Sequence, residues 1–351
     1  MARQTIGRPV AEGKVPLIDL EGSTKECGRQ LGLTWTHALH VGAHYADPER
    51  DAWWRDRRFS RLLDRYAPHL PSLYKAIAKG AGLPEEKIST RAPALETFDP
   101  GASGCTSFAI APRATLDGQC ISGQTKDTNF SRMLQYQVLR LKLTDAPPAL
   151  TVTYPGWLFG HGFVRGGCAI FRNSLFTDQG AAKGLPYAVW GMLALHCATV
   201  QDVVELTRRH GVAEAAHCTV ADEHGGIVGL ETAAGRCGVL KARRGIYTHA
   251  NAIVSGKRLR PYEREDSRFS RKNSLFRENR LRALLEANRG RLTAQLAYCA
   301  LCDHEGFPLS ICRSESLEAF TTAAIVSEPT RGRIHVTRGL PSQNWPVTYC
   351  L

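Results

Sequence analysis

Ala102-Ser103-Gly104-Cys105-Thr106-Ser107-Phe108 is the stretch on which the reading of this chain turns: a run of small residues, then a cysteine, then the apolar start of a predicted strand. A cysteine directly after a glycine, at the head of a strand, can attack the carbonyl just before it. Glycine leaves that carbonyl uncrowded and tolerates the strained backbone that the attack requires. A cut at Gly104–Cys105 would leave Cys105 with a free α-amine beside its own thiol, a nucleophile and a base on one residue. Taken alone, the step reads more readily as a turn into a buried cysteine, so the choice rests on the rest of the chain.

The chain has 351 residues, 43% of them hydrophobic and 22% charged. That is enough to bury a sizeable core, as two domains or as one large layered α/β domain. Residues 1–15 carry scattered charge and no apolar run, so no signal peptide is expected, and no window approaches a membrane span. Eleven cysteines are spread along the chain; without an export signal they point to reduced thiols in a cytoplasmic protein rather than a disulfide framework. Of the net charge of +12, over half arises in residues 257–291, where twelve Lys/Arg stand against five Asp/Glu. Such a segment could hold nucleic acid or a phosphorylated cofactor. Aromatic stacking residues are sparse there, and it is read instead as a solvated helical face with Leu275, Phe276, Leu281, Leu284 and Leu285 as its buried stripe.

Hydropathy spacing predicts helices over Thr24–His44 and Ala52–Ala81, closed by Gly80-Ala81-Gly82-Leu83-Pro84. Short strands are expected at Phe108–Ala111 and Cys120–Gly123, then at Gln135–Leu143, Ala149–Tyr154 and Gly167–Arg172. A helical stretch, Pro186–Arg209, precedes strand-like runs at His217–Ala221, Gly226–Glu231 and Cys237–Lys241. Phe320–Val326 and Arg333–Val336 read as closing strands around a turn at Glu328–Gly332. Antiparallel strand groups with helices between and outside them imply stacked sheets covered by helices.

Several landmarks follow Gly104-Cys105-Thr106-Ser107 in order. They are Gly123-Gln124-Thr125-Lys126-Asp127, Gly160-His161-Gly162-Phe163, Asn173-Ser174-Leu175, Glu231-Thr232, Thr248-His249-Ala250-Asn251, Asp303-His304 and Ser310-Ile311-Cys312-Arg313. Together they resemble the acyl-coenzyme A:6-aminopenicillanic acid acyltransferase-like family of self-cleaving N-terminal nucleophile hydrolases, nearly end to end. The resemblance implies an α+β fold, a four-layer αββα sandwich with a mostly helical N-terminal precursor segment. It also implies an autocatalytic cut before the cysteine, giving a small chain 1–104 and a large chain 105–351 that stay together as a heterodimer within one compact domain.

With that cut, an amine of ordinary pKa about 7.7–8.0 lies beside a thiol of about 8.5 and can accept its proton at neutral pH without extreme tuning. The thiolate attacks an amide or thioester carbonyl, and water or an amine then takes the acyl group. The resemblance assigns Cys105 as nucleophile and Asp127 as the carboxylate that orients the new ammonium. It makes Asn251 an oxyanion donor and Asn173 a second donor beside it. Two departures stand out around Asn251: Ala250 and Ala252 replace the threonine and second histidine of the family's His-Thr-Asn-His run. Lys126 stands where the family often has an aromatic, and Gln124 where the related bile-salt hydrolases have arginine, so substrate preference does not transfer.

Trp157, Phe159 and Phe163 are the candidate lining of an apolar acyl pocket. No metal is expected: Cys299-x-x-Cys302-Asp303-His304 has ligand residue types but lacks a second Cys-x-x-Cys. The glycines of 156–167 lack the Gly-Lys-Ser/Thr ending of a phosphate loop. The reading is a cysteine amidohydrolase for a small N-acyl substrate that needs no cofactor. Two alternatives remain open: an N-acyltransferase using a coenzyme A thioester as acyl donor, and a non-catalytic basic binding protein on the same fold.

Overall fold

The alternation of side chains along one strand explains why the molecule is built in layers. In β2 (Gly104–Ile110) every residue is buried, yet its neighbours fall into different cores. Phe108 and Ile110 pack with Leu281, Leu285 and Leu301 of the overlying helices, whereas Ala109 packs with Val138, Phe163 and Phe171 of the opposing sheet. A strand covered on both faces needs a partner layer on each. The computed structural model describes residues 14–44, 55–88, 104–177, 184–264, 271–314 and 320–351; Ala52, Ala102 and Ser103 of the sequence reading lie outside them.

The smaller sheet has the strand order β11-β2-β3-β12-β13-β14. Besides β2 it comprises β3 (Ile121–Thr128), β11 (Ile246–His249), β12 (Phe320–Glu328), β13 (Arg333–Arg338) and β14 (Val347–Cys350). The larger has the order β1-β4-β5-β6-β7-β8-β9-β10. Its strands are β1 (Leu17–Gly22), β4 (Gln137–Leu143), β5 (Ala149–Thr153), β6 (His161–Val164), β7 (Cys168–Ser174), β8 (Ala216–Asp222), β9 (Ile227–Ala233) and β10 (Arg236–Lys241). Helices α7 (Arg271–Ala287) and α8 (Ala294–Leu301) cover the smaller sheet. The larger sheet is covered by α1 (Thr24–Thr34), α2 (Thr36–His44), α3 (Arg57–Tyr66), α4 (Leu70–Ala81), α5 (Tyr187–Leu195) and α6 (Val200–His210). The result is the four-layer αββα sandwich expected of the sequence.

Three local expectations are corrected. The mostly helical N-terminal segment also holds a strand that the spacing did not show: β1 pairs in parallel with β4 at the sheet edge, Leu20 against Leu141. It shows little apolar alternation because only Leu20 of its six residues is buried. The helical run 24–44 breaks at Trp35, whose backbone N–H caps α1 and whose indole donates to Gln137 Oε1 at 2.8 Å. The run 186–209 divides before Val200, where Thr199 and Asp202 form a capping box.

Four arginines of the basic segment's helix are committed internally. The described helix spans Arg271–Ala287, and its buried face continues from Leu285 and Leu281 into Arg277, Glu278, Asn273 and Ser274. Arg271 pairs with Glu263, Arg280 with Asp303 and Glu305, and Arg282 with Glu278. All eleven cysteines carry free thiols. No described helix is long and apolar enough to cross a membrane.

α1 and α4 approach so closely that glycine is obligatory where they cross. A Cβ on Gly32 would fall 2.2 Å from Ile77 O, and one on Gly80 2.1 Å from Arg29 O. Backbone oxygens cannot move aside as a side-chain tip can. Gly80→Ala is expected to lower stability by about 1–3 kcal/mol, the usual cost of overpacking, read by chemical denaturation; an unchanged midpoint would mean the helices separate freely.

Candidate active site

Cys105 is 1% exposed and lies near the start of β2, between β11 and β3 in the smaller sheet. Alternation aims its side chain, with those of Ser107 and Ala109, into the space between the sheets; Ser107 Oγ meets Thr219 Oγ1 of the larger sheet at 2.8 Å. On β3 the partner directly opposite Cys105 is Lys126. Asp127, opposite Gly104, faces the other way, toward α7.

Three of the residues singled out from sequence gather around Cys105. Its backbone N–H donates to Asn251 Oδ1 at 3.1 Å. Its carbonyl accepts from Asn173 Nδ2 at 3.3 Å, and Asn173 also donates to the carbonyls of His249 and Ala250 at 3.2 and 2.8 Å. Asn251 Nδ2 faces Ser174 O at 2.9 Å, so it is the amide oxygen of Asn251, not its nitrogen, that meets Cys105. Asp127 Oδ1 accepts from Thr321 Oγ1 at 2.8 Å.

The residue that joins these groups is Arg277, which the motif reading passed over. Its side chain is completely buried. Nη1 donates to Cys105 O at 2.8 Å and Thr106 Oγ1 at 2.7 Å. Nη2 donates to Asn251 Oδ1 and Nε to Asn273 Oδ1, both at 2.8 Å, and Asp127 Oδ2 lies 3.8 Å from Nη1. The available signal was the helical spacing: Arg277 stands four residues before Leu281 on the stripe that ends at Leu285.

Behind Asn251 sits a second charged pair. His249 Nε2 is 2.8 Å from Glu231 Oε1, and His249 Nδ1 faces Ala250 O at 2.7 Å, so both ring nitrogens meet acceptors. Burial pulls the His249 pKa down, but the Glu231 carboxylate, with help from Glu278 and the Ala250 carbonyl, lifts it above its ordinary value. Glu231 is raised by burial yet held lower overall by His249 and by backbone N–H donors. His217, stacked on His249 at 3.5 Å, is kept well below its ordinary pKa by burial and by that neighbouring charge.

The aromatic trio divides. Trp157 makes a T-shaped contact with His161 at 6.4 Å, next to Lys126. Phe163 is fully buried in the inter-sheet core. Phe159 packs on the helical side of the larger sheet, 5.3 Å from the Tyr187 ring. Gln124, on the thiol's face of β3, is fully buried, with neither amide atom hydrogen-bonded. Far from this cluster, Cys302 Sγ meets the carbonyls of Tyr298 and Pro341, Asp303 pairs with Arg280, and His304 meets Ser342. These side chains therefore point to separate partners, and no group of three or more potential metal-ligating side chains occurs among the described residues.

A model of the acyl-coenzyme A:6-aminopenicillanic acid acyl-transferase family matches residues 122–343, more than half of the chain. The chain belongs to this family. The matched span takes in Asp127, Asn173, Asn251 and Arg277 and begins downstream of Cys105. Among solved structures, the chain is similar to a variant of conjugated bile acid hydrolase from Clostridium perfringens, with 12% identity, TM-score 0.46, and 70% of this chain and 97% of that one covered. Penicillin V acylase from Agrobacterium tumefaciens gives 12% identity and TM-score 0.43, over 66% and 82% of the two chains. The Caenorhabditis elegans ortholog of N-acylethanolamine-hydrolyzing acid amidase gives 13% and 0.45, over 70% and 100%. No curated protein matches the chain.

Two outcomes follow from the charges, each measured in the uncut Cys105→Ala background. Arg277→Leu strands Asp127 without its cation and is expected to cost about 3–5 kcal/mol in denaturant unfolding, the penalty for breaking a buried pair; a loss under about 1 kcal/mol would show that the guanidinium does not organise the site. For the Glu231–His249 pair, the His249 contribution is complete below its unfolded pKa near 6.5 and fades as pH rises through its raised folded value. The Glu231 contribution is complete above about 4.5 and fades as pH falls through its lowered folded value. The stability lost in Glu231→Gln is therefore greatest between about pH 4.5 and 6.5, and a loss independent of pH would contradict the pairing.

Proposed function

We propose that this family member is a cysteine amidohydrolase activated by its own cleavage at Gly104–Cys105, acting on a small N-acyl substrate through a thioester on Cys105. The observation that carries the reading is the convergence on one buried thiol: Asn251 on its nitrogen, Asn173 and Arg277 on its carbonyl, and Asp127 behind them. A thiol held this way has a fixed backbone, which acyl transfer needs before the reacting atoms can be aligned.

Cleavage turns the Cys105 N–H into an α-amine at the same place. Asn251 Oδ1 then accepts from that amine, and Asp127, across the ladder from Gly104, supplies the negative charge that steadies its protonated form. The amine takes the thiol proton, the thiolate adds to the substrate carbonyl, and the substrate amine leaves with the proton. Asn173 and Asn251 are the amide groups near enough to serve the acyl oxyanion; for Asn251 this requires its nitrogen to leave Ser174 O. Water then releases the acid from Cys105.

The two pieces are built to stay together. Before residue 104, β1 is hydrogen-bonded to β4, and Leu31, Leu70, Leu73 and Ile77 share a core with Leu139 and Leu141. Water is taken as the acyl acceptor in this scheme; Arg271, Arg277, Arg280 and Arg282 of the basic segment are engaged with internal partners, while Lys257, Arg258 and Arg260 are exposed.

Denaturing mass spectrometry of purified protein is expected to show two chains, one beginning at Cys105, together one water heavier than the precursor. Cys105→Ala is expected to remain one chain of 38.6 kDa with no turnover of N-acyl compounds. A cut Cys105→Ala protein would overturn the scheme.

A further inference from the structure

In the uncut chain the Cys105 nitrogen is an amide. Its N–H donates to Asn251 Oδ1, and it offers no lone pair to the thiol. Asp127 lies on the opposite face of β3, with Thr321 and Arg277. The first cut therefore needs a proton acceptor that later turnover does not.

On the thiol's own side the ionisable groups are few. β3 brings Lys126, β6 brings His161, and Arg172 of β7 adds positive charge nearby. The phenols of Tyr136 and Tyr154 belong to the same inter-sheet core and are kept protonated by burial. His217 of β8 is engaged with Tyr247 OH at 2.8 Å. Lys126 alone stands directly opposite Cys105 in the ladder, its side chain on the same face of the sheet as the thiol.

The hydrogen bonds around His161 fix the state of that amine. The Arg172 backbone N–H donates to His161 Nδ1 at 3.4 Å, and Lys126 Nζ lies 3.3 Å from Nε2. A neutral imidazole carries one N–H; with Nδ1 accepting, this pattern assigns the proton to Nε2. Nε2–H then points at Lys126 Nζ, where an ammonium would set donor against donor. The pattern closes only with an uncharged amine. Burial and the Arg172 charge also draw the Lys126 pKa below its ordinary value of 10.5, against the opposite pull of Cys105 and Asp127.

We propose that Lys126 is the base that takes the Cys105 thiol proton in the uncut chain, so that a Lys–Cys pair performs the self-cleavage and the α-amine it creates serves turnover. This rests on the self-cleavage reading above. Rotation about the Cε–Nζ bond turns the amine lone pair from His161 to the thiol, and Nζ takes the Sγ proton. Sγ then bonds to the Gly104 carbonyl carbon, and the tetrahedral adduct collapses with breakage of the bond from that carbon to the Cys105 nitrogen. The nitrogen leaves with the proton from Lys126, whose ammonium is disfavoured facing His161 Nε2–H. Water adds to the Gly104 thioester, giving a Gly104 carboxyl group and the Cys105 thiol. One water is consumed, nothing is oxidised, and Lys126 ends uncharged.

The test is conversion over time of chains made by cell-free translation, followed by denaturing mass spectrometry. Lys126→Met and Lys126→Arg are both expected to slow the cut by about 100-fold or more, the usual weight of general-base catalysis. Arginine carries a permanent charge and cannot act as a base. Thermal melts matching uncut Cys105→Ala show that the variants fold. Cleavage of either variant at the wild-type rate overturns the assignment; cleavage of Lys126→Arg alone means the site needs a cation rather than a base. A wild-type chain that stays whole overturns self-cleavage itself, a distinct failure. Independently of any cut, the carbon-13 Cε signal of Lys126 in Cys105→Ala, identified by its loss in the Lys126→Met double variant, is expected to titrate below 10.5. An ordinary lysine midpoint overturns the proposal.

Discussion

A single buried guanidinium organises the centre of this molecule. A cation removed from water must find acceptors for its N–H groups or the layer that buries it comes apart. Arg277 finds them in Cys105, Thr106, Asn251 and Asn273, with Asp127 as its counter-charge. These partners come from a helix, two central strands of the smaller sheet and the loop after β11. Satisfying one side chain therefore fixes how the helical layer sits on the sheet. It also fixes the backbone of the residue read as nucleophile, so stability and function share the same few contacts.

The sequence disclosed the elements whose physics is local. Alternation located most strands, and Gly104-Cys105, ambiguous by itself, gained its weight from the ordered landmarks that follow it; it lies at the start of β2. The ordered motifs picked out Asp127, Asn173 and Asn251, which the fold gathers around Cys105. What stayed hidden depended on tertiary context. β6, β11 and β14 have four residues each, too few for a period to show, and β1 is an edge strand with little to bury. Arg277 looked like one charge among many in a basic segment; its spacing put it on the Leu281–Leu285 stripe, and the packing of α7 on the smaller sheet shows that this stripe buries its charge.

The polar row between the sheets is the other feature that patterning could not supply. Cys105, Ser107, Gln124 and Lys126 from one sheet oppose His161, Asn173, His217 and Thr219 from the other. In an ordinary sandwich these positions would carry aliphatic side chains, as Ala109, Ile325 and Val336 do nearby. Local rules broken in one place mark a functional site more reliably than any one motif. Gln124, with its whole amide unbonded in the interior, lies in that row.

The parallel strand β1 has a consequence beyond architecture. It enters the larger sheet ahead of the residues that α1 to α4 bury, while the Gly104–Cys105 bond belongs to the other sheet. Severing that bond leaves both sheets intact but converts folding from a unimolecular event into an association. The stability of the cut protein then obeys mass action and falls on dilution, whereas that of the intact chain does not. Under the proposed scheme, unfolding after the cut would separate two partners that then have to find each other, so the position of one edge strand asks that folding precede the cut.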